Sequence, residues 1–240
     1  MKVGIIQSNF VPWRGYFDFI REVDLFILED DLQYTKGDWR NRNRIKTPRG
    51  SEWITVPTHY SQTSQLIEQT QIDYSTPWAE RMLNRVRESY RAAPNFEPYF
   101  SEFRELLTKP ADTISSLNSR LIQWTCSHLQ IHTPITSSRD YHPQGRKTER
   151  LLDMLRQVGA TTYLSGPAAR AYLIPGMLEE AGIELRYKSY DYEDYDQLYP
   201  PFDPFVSILD LLFMMGADAM RYLLQKSPPG TERADGNNTG

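Results

Sequence analysis

Six basic residues and one acid lie between Lys36 and Arg49, a local charge of +5 in a chain whose formal net charge is −4. Arg40, Arg42, Arg44 and Lys46 alternate there with Asn41, Asn43 and Ile45, and Lys36 and Trp39 stand just ahead. Arg and Lys clamp phosphate oxygens, and rings such as Tyr34 and Trp39 stack a base or sugar. The segment therefore reads as a loop for a small phosphorylated ligand, with Arg42 and Lys46 stabilising developing charge. Asp31, just upstream beside Gln33, is the best candidate for a general base or metal contact. A solvated charged loop is the competing reading.

Three further constellations follow strand-like runs. Gln7 to Phe17 comes directly after an apolar run and opens a helix, so Gln7, Asn9, Pro12, Trp13, Arg14 and Gly15 are placed to meet a phosphate or carboxylate. Neither GxGxxG nor GxxxxGK[ST] is present, and Trp13 could equally seal the sheet end. Ser165 and Gly166 form a strand-turn-helix junction where Ser165 caps or binds and Gly166 permits close backbone approach. Ser137 and Ser138 end another strand in the same manner. Between Tyr187 and Pro204, five tyrosines mix with acids, a segment for a polar cosubstrate, an amine or a magnesium ion shared with phosphates, or else a surface loop.

Metal and nucleophile motifs are weak. Cys126, His128 and His132 lack an HExxH glutamate, His59 and His142 stand alone, and no GxSxG elbow occurs. No metal site is expected, the cofactor is unknown, and magnesium would enter with a nucleotide.

The elements that must position these groups can be read from periodicity. Strands are expected at 2–7, 24–29, 52–57, 133–137, 161–165 and 183–188, with helices at 16–23, 78–90, around 100–107, 114–124, around 151–158, 168–181 and 207–226. Alternating strands and helices predict an α/β fold, a parallel sheet flanked by helices, with a helical insertion at about 76–130. One domain is expected over 1–226, followed by a disordered tail at 227–240 that has no large apolar residue.

Composition bounds the function. The 240 residues suffice for a sizeable core, and the acidic total excludes a broadly basic duplex-binding surface. One cysteine rules out an intrachain disulfide and fits a reducing cytoplasm. The longest apolar stretch, 205–217, is too short to span a bilayer. Aromatic residues reach 12%, many beside Pro, Gly, Asn or Arg, which suits half-open ligand pockets as well as a core.

With these motifs on the page, the chain resembles the bacterial WbqC-like family, hypothesised to act in surface polysaccharide (O-antigen) biosynthesis. The likeness runs to about Gln225 and rests on Gln7 with Pro12 to Phe17, Asp31 to Tyr34, Trp39 to Lys46, Thr148 to Leu152 including Arg150, Tyr163 to Pro167, and Ser207 to Asp210. Ser8-Asn9-Phe10 departs from the proline the family usually carries after the glutamine. A remoter similarity is to the HIGH-motif nucleotidyltransferases, which include cytidylyltransferases and pantothenate synthetase. Gly15 matches the motif glycine in placement, but its histidines are absent, so that similarity implies nucleotide binding more than nucleotidyl transfer.

The combined expectation is a transferase or ligase acting on a phosphorylated small molecule, a nucleotide or nucleotide-sugar. Two alternatives stand beside it: a non-catalytic scaffold whose basic aromatic loop holds a partner or RNA, and an acyl or aminoacyl transferase acting on an amino sugar.

Overall fold

The computed structural model describes residues 1–226 and the backbone of Glu232 and Arg233. Its main sheet contains β1 (Lys2–Ile6), β2 (Leu25–Leu28), β5 (Ile135–Ser137), β6 (Thr162–Ser165), β7 (Glu184–Tyr187) and β8 (Glu232–Arg233), in the spatial order β5-β2-β1-β6-β7-β8. The first five are parallel, and β8 adds a short antiparallel edge beside Arg186 and Tyr187. The rest of the expected tail at 227–240 lies outside the described residues.

Side-chain alternation explains the layers. Val3, Ile5, Ile27, Tyr163 and Leu185 turn to one face and pack with Leu151, Leu152 and Leu155 of α5 (Thr148–Gln157) and Leu178 of α6 (Pro175–Glu180). Phe26, Leu28 and Leu164 turn to the other, against Tyr16, Phe17 and Ile20 of α1 (Arg14–Arg21) and the apolar α7 (Ile208–Met215). The central strands β1, β2 and β6 thus meet helices on both faces, as a buried parallel sheet requires. The helices α2 (Trp78–Tyr90), α3 (Phe96–Thr108) and α4 (Ile114–His128) stand between β2 and β5 in sequence and join the second of these cores. Among the described residues no helix is long and apolar enough to cross a membrane.

Three expectations need correction. The basic segment is only partly a loop: Arg42–Thr47 forms β3, paired antiparallel with β4 (Gly50–Thr55). A period of two is hidden under its charges, since Asn43 and Ile45 are buried while Arg42 and Arg44 are half-buried. The helix expected at 168–181 is split into a 3-10 turn at Pro167–Ala171 and α6, which begins at Pro175, a residue with no N–H to continue an earlier turn. The last helix stops at Met215, because Gly216 takes φ +55°, and continues as a 3-10 turn over Gly216–Leu223.

Buried polar side chains tie the insertion and the hairpin to the sheet. Asp210 of α7 accepts hydrogen bonds from Tyr90 Oη (2.8 Å), Tyr195 Oη (2.9 Å) and Gln197 Nε2 (2.9 Å), and the Lys46 N–H donates to Tyr90 Oη (2.8 Å). Burial lifts the Asp210 carboxyl to about 6, against the pull of these donors.

Arg14 is held in the same way. Nη1 donates to the carbonyls of Glu193 (2.6 Å) and Tyr222 (3.3 Å), and the guanidinium lies over Tyr192, Tyr195 and Phe202. The Tyr-rich segment therefore packs onto α1. Replacing Arg14 by Ala is expected to cost about 3 kcal/mol in urea unfolding, from lost charge-assisted bonds and ring contacts. A loss below about 0.5 kcal/mol, the range of ordinary surface substitutions, would contradict this structural role.

Candidate functional site

The strand order reverses between β1 and β6. From β1 the chain proceeds through α1 to β2 on one side, and from β6 it proceeds through α6 to β7 on the other. In open α/β sheets the carboxyl ends of two such strands leave a crevice that the connections do not cover. A cavity of about 590 Å³ opens there, lined by Ile6 and Gln7 after β1, Ser165 and Gly166 after β6, Glu29 after β2, and Arg40, Lys147, Arg150, Tyr163 and Tyr172.

Three consecutive acids follow β2, and each has a different task. Asp30 is buried and accepts from the Ser8 N–H (2.7 Å) and from Ser115 Oγ. Asp31 accepts from Ser138 Oγ (2.6 Å) and from Arg150 Nη2. Glu29 Oε1 accepts from Arg150 Nε at 3.2 Å. Arg150, in the first turn of α5, is thus clamped between two carboxylates and fixed at the cavity wall. Glu29 is only 8% exposed, and burial raises its carboxyl to about 7 even though Arg150 pulls it down. A carboxyl that exchanges its proton near neutrality can serve as a general acid or base.

The remaining wall carries bases. Arg40, Lys147 and Arg150 line it with the acid Glu29, Arg40 paired to Asp38 at 3.0 Å and Arg150 to Glu29 and Asp31. Lys147 occupies the N-cap of α5 with φ +51° and gives it no side-chain cap, so the positive end of the helix dipole lies at the wall. Gly166 has φ −73°, and a Cβ built on it would meet nothing within 4 Å. Neither backbone strain nor protein packing demands glycine at that position. Glycine there leaves the backbone open to close approach.

The expected site residues divide among several places. Gln7, Arg40, Arg150, Ser165 and Gly166 meet at the cavity, with Asp31 and Ser138 joined to it through Arg150. Ser137 caps the 3-10 turn that follows β5, accepting from the Arg139 N–H at 3.3 Å. Asn9, Pro12, Trp13, Trp39, Asn43 and Arg44 gather with Phe205 round a separate hollow of about 420 Å³.

Others make contacts within the fold. Arg42 stacks on Trp53 at 4.2 Å, Lys46 is 2% exposed with Nζ donating to the Pro201 carbonyl, and Asn41 Nδ2 donates to the Val56 carbonyl at 2.8 Å. Tyr34 is buried with Oη 3.0 Å from Thr58 Oγ1. Gln33 forms a bridge to Leu66, and Lys36 Nζ lies 6.0 Å from the Tyr60 ring centroid. Gly15 carries the Trp13 indole, because a Cβ there would stand 2.3 Å from Trp13 Cζ2. Among the described residues no three His, Cys, Asp or Glu side chains are grouped to hold a metal ion.

Sequence reasoning missed Glu29, Lys147, Tyr163 and Tyr172 as cavity residues. Glu29 had a usable signal, as the first residue past the second strand. Tyr163 precedes Ser165 by two residues on the same strand face, and Lys147 and Tyr172 reach the cavity through tertiary packing.

The Glu29 shift has a definite consequence for stability. Its folded value, raised from 4.5 to about 7, means that the folded chain keeps a proton the unfolded chain releases. Stability is therefore fully present below about pH 4.5 and declines as pH rises toward 7, by up to about 3 kcal/mol. Glu29→Gln should remove this decline, so the stability difference between the two proteins, read from urea unfolding, grows across that window. The Asp210 contribution is common to both and cancels. A difference that stays flat from pH 4 to 8 would contradict the assignment.

Comparison with known proteins adds two findings. The model of the WbqC-like protein family matches residues 7–222. "Uncharacterized protein Rv1507c" of Mycobacterium tuberculosis (strain ATCC 25618 / H37Rv) is 47% identical over 225 residues, covering 92% of this chain and 97% of that one. No solved structure matches the chain significantly. The family match includes both ends of the crevice, Gln7 after β1 and Ser165 and Gly166 after β6, together with the Arg150 clamp, and on that extent the chain belongs to the WbqC-like protein family.

Proposed function

We propose that this chain is a transferase or ligase that holds a phosphorylated small molecule, a nucleotide or nucleotide-sugar, in the cavity between the ends of β1 and β6, and that it modifies a bacterial surface-polysaccharide precursor. The observation that carries the reading is the meeting, at one strand divergence, of three bases, an α-helix start without a side-chain cap and a glycine that no protein contact requires. The polysaccharide setting comes from the family resemblance.

In this reading Arg40, Lys147 and Arg150 bind phosphate oxygens and offset the charge that builds on them during transfer. Gly166 lets the backbone come within hydrogen-bonding reach of the phosphate, and Gln7 and Ser165 orient polar groups. Glu29 takes or returns the proton of the attacking group, the part the sequence suggested for Asp31. Asp31 instead holds Arg150 in place. Arg42 and Lys46 stand away from this cavity's wall, Arg42 over Trp53 and Lys46 at the Pro201 carbonyl. Any magnesium would be held mainly by the nucleotide's own phosphates.

A thermal-shift panel of nucleoside mono-, di- and triphosphates, nucleotide-sugars and a short RNA tests this. A ligand at about one hundred times its Kd adds about 2.7 kcal/mol, a rise in Tm of roughly 5 °C or more. Gly166→Ala should leave the Tm of the free protein unchanged or slightly raised, because its φ suits alanine, yet reduce ligand affinity at least tenfold. The proposal fails if no phosphorylated small molecule stabilises the chain, or if Gly166→Ala binds as wild type. Response to RNA alone would indicate the scaffold reading.

A further inference from the structure

The walls of the smaller hollow and the larger cavity are joined by a hydrogen bond. Arg40, on the wall of the larger cavity, donates Nη1 to Oδ1 of Asn9, on the wall of the smaller, at 2.6 Å. The hollow's walls are chiefly apolar, made by Pro12, Trp13, Trp39 and Phe205. Trp39 and Phe205 leave 39% and 55% of their surface exposed, and the rings of Trp13 and Phe205 sit 5.5 Å apart at 52°. A single exposed ring needs no explanation, but several round one concavity mark a ligand surface.

The hollow is held rigid. Val11, a β-branched residue, takes φ +35°, in the left-handed region that such residues rarely enter. Asn43 Nδ2 donates to the carbonyls of both Phe10 (3.1 Å) and Val11 (2.9 Å), while the Ile208 N–H donates to the Pro12 carbonyl (2.9 Å). Strain of this kind persists only where the surroundings over-determine the backbone, and it gathers at binding sites. Pro12 and Trp13 are presented in one fixed attitude.

The polar groups select the ligand. Arg44 is the cation on this wall, and no acid lines it. Asp203 accepts from Ser51 Oγ at 2.6 Å and forms an ion pair with Arg44, whose Nη1 stands 3.6 Å from the carboxylate, beyond hydrogen-bonding distance. The Arg44 fork therefore keeps donor capacity for another partner. Asn9 turns its carbonyl to Arg40, and its amide nitrogen is a second donor.

Apolar walls with donors at one end suit an apolar body with an anionic head. A sugar could stack on the rings, but Asn9, Asn43 and Arg44 are too few polar partners for its several hydroxyls, and a phosphate is better served by the bases next door. A carboxylate matches the planar guanidinium. We propose that this hollow binds a small carboxylic acid, with its carboxylate on Arg44 and its apolar body against Trp13, Trp39 and Phe205. The inference holds whatever occupies the larger cavity.

The probe is phenylacetate, titrated into the full chain by saturation-transfer NMR, with neutral phenylacetamide and methyl glucoside as controls. Phenylacetate is expected to bind at least tenfold more tightly than its amide. Arg44→Gln should erase that advantage, and Arg44→Lys, which keeps the charge without the fork, should retain part of it. Trp39→Ala should weaken acid and amide alike; the half-exposed position of Trp39 leaves the fold intact, as circular dichroism can verify. Absent binding, equal affinity for acid and amide, wild-type affinity in Trp39→Ala, or preference for methyl glucoside would each overturn the proposal. The nucleotide panel reads the larger cavity separately, so failure of one assignment leaves the other standing.

Discussion

The divergence of β1 and β6 is the constraint on which the rest of the molecule turns. β1 is bonded on both sides, to β2 and to β6, and its Val3 and Ile5 are almost fully buried. Its position is therefore fixed. The chain leaving its carboxyl end must travel toward one face with α1, while the chain leaving β6 travels toward the other with α6. The opening between them is a product of topology, and what fills its rim decides its chemistry. Here the rim carries Glu29, Arg40, Lys147 and Arg150.

Such a rim is costly to maintain. Arg150 and its two carboxylates sit in partly desolvated surroundings, where attraction within an ion pair is largely offset by lost hydration. A network of this kind contributes little to net stability, although breaking one arm of it is damaging. Its value lies in geometry: Arg150 is held at two carboxylates, and Glu29 is kept near a neutral proton-exchange point by burial that Arg150 only partly offsets. The buried groups elsewhere have structural partners. Asp210 gathers Tyr90, Tyr195 and Gln197, and Lys188 lies between Asp18 and Glu22. The Arg150 network opens onto the large cavity.

Much of the sheet was legible because apolar strands announce themselves by composition. The runs that became β1, β2, β6 and β7 are short, aliphatic or aromatic, and separated by helix-length segments. Strand ends then pointed to Gln7, Ser165 and Gly166 without any contact information. β3 was obscured because its inward positions, Asn43 and Ile45, alternate with arginines whose charge dominates the local composition. Pro175 and Gly216 divided two helices whose apolar spacing continues across the break. The basic cluster is a different case: counting charges located it in sequence but not where its heads point, and Arg42 and Lys46 turn to Trp53 and the Pro201 carbonyl. Glu29, at the cavity wall, is paired with a partner 121 positions away, a pairing that local pattern does not encode.

The claim that a phosphorylated ligand occupies the crevice is tested most directly by amide chemical-shift mapping. The labelled chain would be titrated with whichever nucleotide or nucleotide-sugar raises its melting temperature most. The account predicts that the amides of Gln7, Ser8, Thr148, Glu149, Arg150, Gly166 and Ala168 shift first and furthest. Perturbation centred on residues 36–46, with 147–150 and 165–168 unmoved, would contradict it.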